Sequence, residues 1–87
     1  MLHARMDYNR RIQDSENRIP EDEPVFLLRA SDMYAPLAVA IYATIVRQGQ
    51  GQTAIIRNSE KHAHEMMMWQ MTHPCKSPDM NPDDSLY

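Results

Sequence analysis

The chain has almost no cysteine and almost no glycine. A lone thiol, Cys75, rules out an internal disulfide and makes a reducing cytoplasm the expected compartment. The only two glycines, Gly49 and Gly51, are too few for a phosphate-cradling loop, and they follow a helical pattern where such a loop follows a strand. Basic surplus is missing as well: nine Lys and Arg stand against twelve Asp and Glu, for a net charge of −3. A protein that holds nucleic acid by displacing counterions needs the opposite balance, and a nucleic-acid mimic would carry far denser acids. No apolar run reaches membrane length. Met33–Val46 is apolar apart from Thr44, but it falls short of the roughly 20 residues a bilayer demands. The opening residues Met1–Tyr8 contain no apolar stretch of the kind a secretion signal uses. Catalytic signatures are equally scarce. No G-x-S-x-G turn occurs, and Cys75 lies between Pro74 and Lys76 with no base at a defined spacing. The expectation is a protein that is not an enzyme and that uses no cofactor.

What is present is one small core's worth of apolar residues, since 87 residues bury only about 60–65% of their unfolded surface. They concentrate in Val25–Leu28, Met33–Val46 and Ile55–Met71, so the expected organisation is a polar arm over 1–24, a helical domain over 25–73 and a flexible acidic tail over 74–87. In the arm, Pro20 and Pro24 flank three acids and favour extended backbone, while Tyr8 and Ile12 permit a helical turn at Asp7–Gln13. Val25-Phe26-Leu27-Leu28 reads as a short, buried, strand-like segment. Ser31-Asp32 offers a cap for a helix from about Met33 to Gln48, with Pro36 tolerated in its first turn. That helix is apolar on nearly every face and must be surrounded. Gly49 and Gly51 end it, and Thr53 caps a second helix running to about Thr72, where His73-Pro74 stops it. Its inward face is Ile56, Ser59, Ala63, Met66, Met67 and Gln70; its outward face is Arg57, Asn58, Lys61, His62, His64 and Glu65. The fold class is mainly α: a helical hairpin with an extended arm and one strand-like segment. A β-α-β-α unit, with Thr53–Arg57 as a second strand, is the alternative.

Three constellations invite a functional reading. His62, His64, Glu65, His73 and Cys75 are all possible metal ligands, but His62 and His64 diverge by about 200° on a helix, and solvated histidines explain them better. The methionines of Met66-Met67-Met68-Trp69-Gln70-Met71 could in principle ligate copper, yet consecutive positions cannot all face one ion, so packing and contact surface is the better account. No metal is expected. Two helices meeting at a glycine turn, with Arg57, Asn58 and Lys61 exposed, suggest a small DNA-binding regulator, though Glu60 and Glu65 on the same helix would repel phosphate. The stripe Asn58, His62, Glu65 and Trp69, with Lys61 and Met68 beside it, fits a protein-binding surface best, because interface hot spots favour tryptophan among adaptable methionines. The alternative for Trp69 is that it folds over the arm prolines and completes the core.

The run Ile19-Pro20-Glu21-Asp22-Glu23-Pro24-Val25-Phe26-Leu27-Leu28-Arg29-Ala30-Ser31-Asp32, then Ala35-Pro36 and the ending Met66-Met67-Met68-Trp69, resembles a small uncharacterised family of bacterial and phage proteins. The resemblance covers about residues 8 to 70 and implies a compact helical fold without implying any activity. It leads to the expectation of a phage or prophage accessory factor that binds or inhibits a host or phage protein, including a host defence component, in the host cytoplasm. A partner protein and a homo-oligomer are both expected, a nucleic-acid partner is disfavoured, and a membrane is excluded.

Overall fold

The structure is a computed structural model, and it describes residues 13–77 together with the backbone of Leu2 and His3. The turn expected at Asp7–Gln13 and most of the acidic tail lie outside those residues. The described chain divides into two units, one up to Leu27 and one from Leu28 onward. In the first, β1 (Leu2–His3) pairs in parallel with β2 (Pro24–Val25). A turn precedes β2, held by the Asp14 carboxylate, which accepts the backbone N–H groups of Arg18 at 3.0 Å and Ile19 at 2.8 Å. The apolar run after Pro24 is shorter as a strand than its composition predicts. Phe26, expected to be buried, is 68% exposed. Consecutive side chains of an extended segment point to opposite faces, so four apolar residues in a row cannot all be covered from one side.

The second unit is the helical hairpin: α1 (Ala35–Gln48) and α2 (Thr53–Gln70), packed against each other and joined by a four-residue link. Thr53–Arg57 is the first turn and more of α2, so the β-α-β-α alternative does not hold. The seam on α2 is Ile56, Ser59, Ala63, Met66 and Gln70, alternating three- and four-residue steps as a helix facing one neighbour requires. Met67, expected on that face, is half exposed, because it lies about 100° round the helix from Met66. On α1 the inward residues are Ala35, Val39, Ala43 and Val46, with Ala35 and Ala43 at 0% and 1% exposure. The helices therefore meet through small side chains. The expectation that α1 is surrounded is not met among the described residues, where Leu37, Ile41, Tyr42 and Ile45 are exposed.

The helix ends depart from the expected caps in instructive ways. Helix α1 begins at Ala35 and not at Met33, with Pro in its first turn and no side-chain cap at Tyr34. Asp32 acts one step earlier: its carboxylate accepts the Tyr34 N–H at 2.8 Å, and its carbonyl accepts the Ala35 N–H at 3.0 Å. Gln52, not Thr53, precedes α2, again without a side-chain cap, and α2 stops at Gln70 instead of Thr72. At the end of α1, Gly51 N–H donates to Val46 O at 2.9 Å and Gln50 N–H to Arg47 O at 3.1 Å, the paired bonds of a Schellman motif. The left-handed position of that motif is filled by Gln50 (φ 58°), while neither glycine has positive φ. Gly51 serves a different need. A Cβ there would sit 2.4 Å from Val46 Cγ1, so only glycine lets the link cross over the end of α1.

The segment leading into α1 is tied to the far end of α2. The Gln70 side-chain amide donates to the carbonyls of Ala30 and Asp32, both at 2.9 Å. Beyond α2 the chain returns: Lys76 N–H donates to Ser31 O at 3.0 Å, and Met33 N–H to Lys76 O at 2.9 Å. This parallel bridge between Asp32 and Lys76 carries the hairpin's ordered backbone past Pro74, into the region expected to be tail. Among the described residues no helix is long and apolar enough to cross a membrane.

Candidate protein-binding surface

Helix α2 has a mean composition close to neutral in hydropathy, and its inner seam uses up Ile56, Ala63 and Met66. What remains outward is mostly polar. Asn58, Lys61, His62 and Glu65 are exposed along the middle of the helix. Glu65 organises this stretch: its carboxylate lies 3.9 Å from Lys61 Nζ and 3.5 Å from His62 Nδ1, one helical turn back in each case. Pairs this exposed contribute little stability, about 0.3–0.5 kcal/mol, but they set a local charge pattern. Arg47 of α1 pairs with Glu60 of α2, closing the hairpin on a different flank.

Trp69 lies at the C-terminal end of the same stripe and is 38% exposed. Its ring stacks on His73, with centroids 4.0 Å apart and planes 3° from parallel. The imidazole is fixed from behind. His73 Nδ1 lies 2.9 Å from the Trp69 carbonyl and 3.0 Å from Thr72 Oγ1. A carbonyl can only accept, so the bond to Trp69 O places the proton on Nδ1. Thr72 Oγ1 also reaches the Trp69 carbonyl, at 3.3 Å. These contacts add to the Thr72 N–H, which donates to the same carbonyl at 3.2 Å, and the imidazole they fix holds the stacked indole in one orientation. Met68 and Met71 are exposed nearby, Met68 about 100° round the helix from Trp69.

The structure thus brings Asn58, His62, Glu65 and Trp69 onto one outer stripe of α2, with Lys61 joined to it through Glu65 and Met68 on an adjoining face. The Trp69 ring stacks on His73, a contact the sequence reading did not name when it favoured a binding surface over a core position for this residue. The i, i+4 spacing of Trp69 and His73 was the available signal, obscured because α2 ends between them, at Gln70. Among the described residues no group of three or more His, Cys, Asp and Glu is placed to hold a metal ion. His73 is committed to Trp69, and Cys75 is a free, exposed thiol.

A second exposed surface was less legible in the sequence. On α1 the bulky residues Leu37, Ile41, Ile45, Tyr34 and Tyr42 face outward, and the small ones face α2. The signal was side-chain size, since Ala35, Val39, Ala43 and Val46 share one stripe. Comparison with protein-family models, curated proteins and solved structures returns no match for this chain.

Proposed function

We propose that the chain is a non-enzymatic binding module that engages another protein through the outer stripe of α2, with Trp69 as its anchor. The observation that supports this reading is the half-exposed indole held flat on His73. A large aromatic already fixed in one orientation loses little conformational freedom on docking, and so returns more of its buried area as affinity. The exposed Met68 and Met71 supply adaptable apolar contact beside it, and the Lys61–Glu65–His62 cluster supplies a polar rim. The resemblance to bacterial and phage proteins adds the partner class: a host or phage protein, bound or inhibited by a small accessory factor.

A DNA-binding role draws less support. Lys61 is paired with Glu65, and the neighbouring Glu60 is engaged by Arg47, so the outer face offers phosphate few uncommitted cations.

The test uses tagged full-length chain to capture partners from bacterial lysate, beside Trp69→Ala. A protein retained by the wild type and lost by the variant, with unchanged helical circular dichroism, is the expected result. Truncating a hot-spot tryptophan typically costs about 2 kcal/mol or more of affinity, some 30-fold. Equal capture by both chains refutes the Trp69 anchor.

A further inference from the structure

Helix α1 is built with its larger side chains on the outside. Its inward residues Ala35, Val39, Ala43 and Val46 are small, whereas Leu37, Ile41 and Ile45 on the opposite ridge, with Tyr34 just before the helix, are between 49% and 67% exposed, and Tyr42, 54% exposed, flanks them about 100° round from Ile41. At full side-chain areas of roughly 150–250 Å² each, Tyr34, Leu37, Ile41 and Ile45 present on the order of 400–500 Å² of contiguous apolar surface, with Tyr42 at its edge. That lies in the upper part of the ~300–600 Å² range for the largest patch on a typical monomer, which is often functional, and supplies over half of the ~800 Å² that each partner of a standard interface contributes. The hairpin's own core is slight by contrast. Only Ile56 and Met66 are large buried residues, beside Ala35, Ala43 and Ala63.

We propose that the outer face of α1 is the contact between two copies of this chain, paired about a two-fold axis near Ile41. Three features favour a second copy as the occupant. First, the apolar ridge supplies the centre of an interface whose rim Ala38, Thr44, Gln48 and Tyr42 extend, all of them exposed, and an isologous interface uses one such patch twice. Second, no charged residue occurs from Ala35 to Val46, so a patch facing its own image meets no like-charge repulsion. Arg47, the first charge reached, is turned to Glu60 of its own chain. Third, the single aliphatic hydroxyl on the helix is already satisfied: Thr44 Oγ1 donates to the Ala40 carbonyl at 3.1 Å, and its burial strands no donor. In the antiparallel pairing Leu37 meets the partner's Ile45 and Ile41 meets its own image, each four residues apart along one ridge. The Tyr34 and Tyr42 hydroxyls would reach the rim, where water serves them. This surface is distinct from the α2 stripe, so the dimer stands or falls independently of the partner reading above.

The experiment is sedimentation of the full chain at about 10 μM, where a Kd of about 1 μM leaves most chains paired. The expected mass is twice the 10.1 kDa of one chain. Ile41→Glu places two carboxylates together at the axis and should weaken pairing by about 100-fold or more, while Lys61→Glu on α2 should not change it. Should Ile41→Glu fail to fold, Ile41→Cys in a Cys75→Ser background provides the second measurement. A short bifunctional thiol reagent should link Ile41→Cys chains in high yield and leave Arg57→Cys chains unlinked. A 10.1 kDa species for the wild type, or equal linking at both positions, overturns the dimer. So does dimerisation unaffected by a folded Ile41→Glu, or binding of zwitterionic lipid vesicles by a monomeric wild type.

Discussion

Replacing Gly51 with alanine should destabilise the hairpin by about 1–2 kcal/mol, although the same change in an open turn would stabilise it. Two opposing effects set this figure. Alanine restricts the unfolded chain more than glycine does, a gain of about 0.4–1 kcal/mol wherever the folded backbone accepts it. Gly51 does not have positive φ, so the backbone does accept it. The obstacle is contact: the new methyl would sit 2.4 Å from Val46 Cγ1 and 3.2 Å from the Val46 carbonyl oxygen. Val46 is β-branched and inside a helix, where one χ1 rotamer dominates, so Cγ1 cannot swing clear cheaply. The carbonyl is the acceptor of the Gly51 N–H at 2.9 Å, so moving it strains the bond that ends α1. Overpacking of this kind costs roughly 1–3 kcal/mol, which outweighs the entropic gain. The assay is thermal and urea unfolding at one fixed chain concentration, since self-association would otherwise shift the midpoint. For a domain of this size about 1 kcal/mol moves Tm by about 4–8 °C. Val46→Ala removes the clashing methyl, so the double variant should be more stable than the sum of the single changes by about 0.5 kcal/mol or more. A Gly51→Ala chain at least as stable as the wild type refutes the reasoning, and strict additivity refutes the assignment to Val46.

Other expectations follow from the same geometry. Gln50→Gly should raise stability by about 0.5–1 kcal/mol, since a left-handed residue with a Cβ is strained and glycine is not; an unchanged urea midpoint would count against it. Gln70→Ala should lose about 1–2 kcal/mol by removing the side-chain donor from the Ala30 carbonyl and leaving the Asp32 carbonyl with the Ala35 N–H alone, and hydrogen exchange should show faster opening of residues 30–34 than of mid-helix amides. Uniform loss of protection along both helices would instead make Gln70 a general core residue.

The helical hairpin and the order of its two helices were legible in the chain itself. An apolar stretch with Pro36 near its start and Gly49 just past its end, then a periodic stretch ending at His73-Pro74, point to two helices, while pattern alone left residues 53–57 open to a strand until packing decided. The seam of α2 was also legible, because Arg57, Asn58, Lys61, His62 and Glu65 reject burial and leave Ile56, Ala63, Met66 and Gln70 to face inward. Other features depended on three dimensions. Asp32 could not be recognised as a turn former in place of a helix cap until Gln70 and Lys76 were seen to hold the segment before α1. Phe26 could not be placed outside from an unbroken apolar run, which has no period to assign faces. The orientation of α1 was likewise undetermined by pattern, since a helix that is apolar all round reports no preferred side. Only packing against α2 selected the small stripe, because close helix approach needs small side chains, and that choice turned the large residues outward.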